Sequence, residues 1–235
     1  MLRMAPANEA RLEVQPSTIV IYADIACPWS HVAVHRLHKI RGELGLQEAI
    51  RFDHRVFPLE LINRRPTPRR ILDAEIPVAG ALDPSAGWQL WQGPEAWWPV
   101  TTLLALEAVQ AAKEQGLRAS EELDRALRLA FFRDSRCISM MHVVIDVARQ
   151  CSGVDTDALR RSLEEGRARR LLFEQFHAIE KVGVRGSPHL FFHDGSDAFN
   201  PGVQMHWEGE HGRGFPVVEK DDPSVYEQLL QRAAA

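Results

Sequence analysis

A chain of 235 residues, 45 % hydrophobic and 26 % charged with a formal net charge of −4, has the composition of an ordinary soluble protein. It is long enough for one domain, or one domain with a sizeable insertion. The acidic balance argues against a nucleic-acid surface, and the basic stretches NRRPTPRR and RRSLEEGRARR, broken by proline or glutamate, read as solvated faces.

Three cysteines, Cys27, Cys137 and Cys151, are too few and too scattered for a secreted disulfide framework or a repeated metal-ligand pattern. The start, MLRMAPANEARLEVQPS, has no apolar core of signal-peptide length, and no later run approaches the roughly 20 apolar residues of a membrane span. The expected location is cytoplasmic.

In chain order, TIVIYADI (18–25) reads as a buried strand, because β-branched and aromatic residues crowd together without polar alternation. A helix is expected over 29–42, with Val32, Val34, Leu37 and Ile40 as its apolar surface and Gly42 and Gly45 at its end. AIRFDHRVFPL, from Ala49, alternates Ile50, Phe52, His54 and Val56 as a second strand, so a right-handed βαβ unit is the economical reading. From Pro58 to Pro99 prolines, glycines and arginines interrupt every periodic pattern. Trp88, Trp91, Trp97 and Trp98 fall within eleven residues there, either as a hydrophobic anchor or as the wall of an apolar site.

A run of helices follows: TLLALEAVQAAKEQG, SEELDRALRLAFFRD with Ser120 as its expected N-cap, SMMHVVIDVARQC, DTDALRRSLEEG and RARRLLFEQFHAIEKVG. Together they predict a helical insertion, residues 61–180, between two parts of an α/β domain, 14–60 and 181–235. PHLFFHDG returns to sheet, its Asp194-Gly195 turn leading towards a strand near VQMHWEG, and SVYEQLLQRAA is a terminal helix.

Cys27 stands where the first strand gives way to the first helix. Unpaired N–H groups of the first helical turn and the helix dipole favour a thiolate there, so the expected thiol pKa lies below the free value of about 8.5. Pro28 suits the first helical position. Ser30 occupies the place of a second cysteine in a Cys-X-X-Cys pair; its hydroxyl is expected to hydrogen-bond the thiolate but cannot close a disulfide. Cys137 and Cys151, if joined by continuous helix, stand roughly 21 Å apart, too far for a mutual disulfide. Asp24 either tunes the thiol or, more simply, satisfies local backbone donors. His142 and the other isolated histidines lack any metal-binding companion.

CPWS after a hydrophobic strand, VFPL at Val56 to Leu59, the helical insertion and VGVRGSPHLFF at 182–192 together resemble the DsbA-like branch of the thioredoxin superfamily, in particular its FrnE-like cytosolic members. The resemblance implies an α/β thioredoxin-like fold with a large helical insertion. It also implies that Cys27 is the nucleophile, Ser30 the resolving position and Pro188 the cis-proline facing the thiol. Pro28, Trp29, His31, Ser187 and His189 then become substrate-contact candidates, the two histidines through an imidazolium near the sulfur.

The implied activity is thiol-disulfide exchange by a single cysteine, with no tightly bound cofactor. Its partners would be a small thiol or disulfide such as glutathione or mycothiol, or a protein disulfide. One alternative is a glutathione- or mycothiol-dependent transferase or isomerase, as in the related hydroxychromene-carboxylate isomerases and kappa-class glutathione transferases, with an apolar substrate against the tryptophans. Another is a noncatalytic binding protein that retains the groove. Oligomeric state stays open, a homodimer included.

Overall fold

The computed structural model describes residues 12–210 and 212–234. The reading of the N-terminal segment falls largely on residues 1–11, outside those described. Strand β1 is Thr18–Ala23, helix α1 Pro28–Glu43 and β2 Arg51–Val56; a run of helices then precedes the return to sheet. These are α2 (Leu59–Ile62), α3 (Arg69–Leu82), α4 (Leu103–Ala112), α5 (Leu117–Phe132), α6 (Met141–Ala148), α7 (Thr156–Glu165) and, closing the run, α8 (Arg169–Val182). Strands β3 (His189–Phe191), β4 (Asp197–Phe199), β5 (Val203–Glu208) and β6 (Phe215–Asp221) follow, and α9 (Val225–Ala234) ends the fold.

The main sheet has the order β2-β1-β3-β4, with β1 parallel to β2 and antiparallel to β3. The β1–α1–β2 unit is therefore present as expected. Every residue of β1 is buried, and its two faces serve different layers. Ile19, Ile21 and Ala23 meet Leu37 of α1 and Leu230 of α9, while Val20 and Tyr22 meet Ile179 of α8. Burying each such isoleucine stabilises the fold by roughly 1.5–3 kcal/mol, so a register slip that exchanged the faces would be heavily penalised.

The helices between β2 and β3 do not stand apart from the sheet. Their principal core, built on Leu106, Leu123, Leu127, Ile145 and Leu159, also takes in Ile25 and Ala26 from the turn before Cys27 and Val56 from the end of β2. Two ion pairs reinforce the junctions, the first half-buried and the second buried. Arg36 of α1 makes a two-pronged contact with Asp221 of β6 at 2.6 and 2.7 Å, and Arg41 meets Glu121 of α5 at 2.6 Å.

Several expectations change. Helix α3 occupies part of the segment whose periodic pattern is interrupted; Pro77 lies inside it, yet Ile71, Leu72, Ile76 and Ala79 still form a buried face. Ser120 is not an N-cap: α5 starts at Leu117, and the Ser120 hydroxyl donates to the Val109 carbonyl of α4 at 2.9 Å. Asp155 does cap α7, accepting from the amides of Asp157 and Ala158. The Asp194-Gly195 turn closes a hairpin between β3 and the nearer strand β4, whereas VQMHWE pairs with β6 in a separate two-stranded sheet. The segment between Cys137 and Cys151 is not continuous helix, since α6 spans only Met141–Ala148; both cysteines are free.

Gly202 sets the turn into β5. Its φ is +78°, its carbonyl accepts from the Asp222 amide at 2.9 Å, and an added Cβ would lie 2.4 Å from the Asp222 carbonyl oxygen. Backbone strain of this kind costs about 1–3 kcal/mol, and the atom in the way is backbone rather than a flexible side chain. Gly202→Ala is therefore expected to lower stability in urea by at least that amount; an unchanged midpoint would show that the turn relaxes freely.

Candidate active site

The site begins with β1. Beyond Ala23 the chain turns through Asp24, Ile25 and Ala26, and Cys27 becomes the N-cap residue of α1, with φ −83° and ψ 116° and no side-chain cap bond. Its carbonyl accepts the first helical bond, from the His31 amide at 3.0 Å. The sulfur donates to the Ser187 carbonyl at 3.2 Å, and the Ser187 hydroxyl accepts from the Asp24 amide at 2.9 Å. The Ser187–Pro188 peptide is cis. Thus the two distant segments singled out in the sequence meet across the thiol.

Asp24 holds the turn closed. One carboxylate oxygen accepts from the Ala26 amide at 2.9 Å; the other accepts from the Leu59 amide at 2.9 Å and the Thr102 hydroxyl at 3.1 Å. The end of β1, the start of α2 and the entry to α4 are thereby tied to one buried group. Burial raises its pKa, and these donors oppose the rise. Of the two roles considered for Asp24, satisfying backbone donors is the one its bonds describe.

The Ser30 hydroxyl donates towards the carbonyls of Asp24 at 2.8 Å and Cys27 at 2.9 Å rather than to the sulfur. The same oxygen accepts from Arg128 Nη1 at 2.8 Å. The expected hydroxyl-to-thiolate contact is replaced by a contact from the Ser30 backbone, which favours the thiolate. Arg128 of α5, 1 % exposed, is the missed residue beneath the turn. It also donates to the carbonyls of Asp24 and Ile25 and pairs with Asp124 at 2.7 Å. One arginine among three in an amphipathic helix, beside Arg118 and Arg125, gives no signal in sequence that it is the buried one.

The electrostatic expectation for Cys27 reverses. Cys27 is 4 % exposed, and the pKa of its thiol is pushed up to about 11. Burial is the largest cause, and the Glu75 carboxylate adds to it, while the Ser187 contact and the Ser30 backbone pull the other way. A rise of that size disfavours the thiolate by roughly 3 kcal/mol, whereas a helix N-terminus returns about 0.3–1 kcal/mol. Desolvation wins. The resting sulfur is a thiol at neutral pH.

A cavity of about 210 Å³ opens beside it, lined by Cys27, Pro28, Trp29, Arg65, Glu75 and Ser187, with Leu59, Ile71 and Leu72 supplying apolar wall. Glu75 of α3 was not anticipated. It accepts from the Trp29 indole N–H at 3.0 Å, and burial pushes its pKa up to about 7, against the pull of that bond. The signal available in sequence was the apolar spacing of Ile71, Leu72, Ile76 and Ala79, obscured by Pro77 and Gly80.

Of the residues expected at the site, Cys27, Pro28, Trp29 and Ser187 line this cavity, Pro188 adjoins it in sequence, and Ser30 lies under the turn. His31 and His189 are not among the lining. His31 is buried between Phe132 and Trp88, its Nε2 3.1 Å from the Ala86 carbonyl, and desolvation lowers its pKa to about 3. His189 accepts from the Arg185 amide through Nδ1 and meets Asp197 through Nε2 at 2.8 Å; desolvation lowers its pKa, and the Asp197 contact opposes this. Neither supplies an imidazolium to the sulfur in this arrangement. The clustered tryptophans follow the anchoring alternative: Trp91 and Trp98 pack on Phe131, Trp88 packs on Phe132, and Trp97 is exposed.

A sheet of this order, a cysteine at the head of the first helix, a facing Ser-Pro turn and helices inserted between β2 and β3 define a thioredoxin-like protein with DsbA architecture. Residues 18–207 match the DSBA-like thioredoxin domain, and the chain belongs to that family. No curated protein matches the chain. Among solved structures, one described as a probable DsbA oxidoreductase from Streptomyces coelicolor is similar at 19 % identity, with 92 % of this chain and 89 % of that chain covered and a TM-score of 0.63. The cytosolic disulfide reductase DsbM from Pseudomonas aeruginosa, solved with GSH, shares 14 % identity over 91 % of this chain and 97 % of its own, with a TM-score of 0.61. A 2-hydroxychromene-2-carboxylate isomerase shares 18 % identity over 77 % and 88 %, with a TM-score of 0.55. At these identities the likeness concerns the fold.

Proposed function

We propose that the protein carries out thiol-disulfide exchange through Cys27 alone and that an external small thiol, of the glutathione or mycothiol class, releases the resulting mixed disulfide in the cytoplasm. The supporting observation is the placement of the Cys27 sulfur on the wall of a cavity opposite Ser187, with the residue-30 side chain bonded instead to Arg128 and two backbone carbonyls. Cys27 attacks one sulfur of a disulfide; that sulfur stays on the enzyme and the other departs as a thiol. A second thiol then attacks the mixed disulfide and regenerates Cys27. The Ser187–Pro188 turn presents backbone to the bound sulfur compound, and Pro28 and Trp29 form the helix side of the groove.

The similarity to a reductase solved with GSH supports a small thiol as the second reactant. Trp91 and Trp98 pack into the helical layer, which favours exchange chemistry over the transferase reading that placed an apolar substrate against them.

Intact-mass measurement after exposure to oxidised glutathione, and separately to oxidised mycothiol, tests the proposal. One adduct is expected, localised by peptide mapping to Cys27, absent from Cys27→Ala and discharged by the reduced thiol. Adducts confined to Cys137 or Cys151, or peptide binding that survives Cys27→Ala without any adduct, would favour a noncatalytic groove.

A further inference from the structure

Glu75 is buried on the wall that also carries Cys27. Among the described residues its hydrogen-bond partner is the Trp29 indole, which belongs to the first turn of the same helix that Cys27 caps. A buried carboxylate held by one neutral donor costs stability, and such groups concentrate where chemistry uses them. The surroundings add little compensation. Asp24, beyond the end of β1, adds to the field against the thiolate; Arg65 also lines the cavity; β5 and β6 contribute apolar Met205 and Val218.

Resting on the exchange reaction proposed above, we propose that Glu75 is the proton acceptor and donor for Cys27, directly or through one bridging water. As the sulfur attacks, the thiol proton passes to the carboxylate, the Cys27–S bond forms and the substrate S–S bond breaks. The departing sulfur, which leaves with the electron pair of that bond, takes the proton from Glu75. The same steps in reverse serve the external thiol that discharges the adduct: its proton goes to Glu75, and Glu75 returns it to Cys27. No charge accumulates over either half-reaction, and no further reactant is needed.

The electrostatics agree with this assignment. The Glu75 carboxylate is one of the causes that raise the Cys27 pKa, so protonating it removes part of the opposition to the thiolate. Two such anions on one cavity wall are costly together. Proton transfer exchanges carboxylate and thiol for carboxylic acid and thiolate without adding a second negative charge.

The experiment is the pH dependence of Cys27 alkylation by iodoacetamide, read by mass, for the whole protein and for Glu75→Gln. Glutamine keeps an oxygen for the Trp29 N–H. In the unaltered protein the rate is expected to climb through about pH 7, where burial places the Glu75 titration, then level off below the ionisation of the thiol itself. Glu75→Gln is expected to lose that inflection and to react about tenfold or more slowly near pH 8. If the carboxylate merely repels the thiolate, Glu75→Gln reacts faster near pH 8, and the proposal fails. It fails equally if the lower inflection persists.

Trp29→Phe provides an independent reading that leaves the carboxylate in place. Loss of the indole donor should move the inflection to higher pH, and an unmoved inflection overturns the assignment. Iodoacetamide contains no disulfide, so the profile is separate from the adduct test: a protein that alkylates with this pH dependence yet forms no glutathione adduct keeps the Glu75 role and loses the exchange reaction.

Discussion

Arg128→Met is expected to destabilise the fold by about 3–5 kcal/mol, the usual cost of removing one partner from a buried ion pair. Asp124 would be left at the centre of the helical layer, its other near neighbour being His54 at 3.6 Å. The Asp24 and Ile25 carbonyls and the Ser30 hydroxyl would lose a donor in the same step. Burial alone would raise the Asp124 pKa, but the charges of Arg128 and His54 and the Arg128 bond bring it below its ordinary value. A depressed carboxyl pKa contributes stability that is complete above the unfolded value near 3.9 and disappears as pH falls through the folded one. The gap between the two proteins should therefore be widest near neutrality and narrow below about pH 4. Urea unfolding at several pH values measures both effects. A difference below about 1 kcal/mol at neutral pH would mean that Asp124 takes up a proton and repacks without cost.

Ser30→Cys is expected to change the fate of the mixed disulfide more than any other single substitution. The introduced thiol can attack the Cys27 sulfur, expel the small thiol and leave an internal disulfide between positions 27 and 30, so the adduct should pass from the dominant species to a minor one. The geometry opposes this in part. The side chain at position 30 points to Arg128 and two carbonyls, and a sulfur there is larger and a weaker hydrogen-bond partner than a hydroxyl. Loss of those bonds should cost about 1–3 kcal/mol, equivalent to roughly 2–4 °C in melting temperature for each kcal/mol in a chain of this size. Intact mass after oxidised glutathione distinguishes adduct from internal disulfide, and a thermal melt reads the cost. An adduct as long-lived as in the unaltered protein would mean that Arg128 holds residue 30 out of reach of the sulfur.

What could be read from the sequence was governed by where short-range pattern and long-range burial agree. β1, Cys27, Pro28 and α1 were legible because a strand signal, a helix-starting proline and a reactive residue type coincide within a few positions. Ser187 and Pro188 were legible through resemblance, since nothing local says that a turn 160 residues away faces Cys27. Helix α3 was lost because Pro77 and Gly80 are evidence against a helix until the sheet and α1 are present to bury Ile71, Leu72, Ile76 and Ala79. With α3 went Glu75. Ser120 has the chemistry of a cap, but the closeness of α4 gives its hydroxyl another acceptor.

The thiol pKa was misread for a related reason. A helix terminus is a local feature visible in sequence, whereas desolvation depends on the cavity wall, which includes α2, α3 and the Ser187–Pro188 turn. His31 and His189 show the same limit, since adjacency in sequence placed them by the site and packing directed each ring elsewhere.

The enclosure of the Cys27 sulfur has a consequence for its survival. Peroxide attacks thiolates, and the first product, a sulfenic acid, is normally rescued when a neighbouring cysteine condenses with it. With serine at position 30 that rescue depends on a thiol arriving from solution, and delay invites irreversible oxidation to the sulfinic or sulfonic acid. A sulfur kept protonated and nearly covered until a partner fills the cavity is shielded through the interval when nothing could repair it. For the single-cysteine exchange proposed above, that enclosure would be a form of durability in a nucleophile with no companion thiol at position 30.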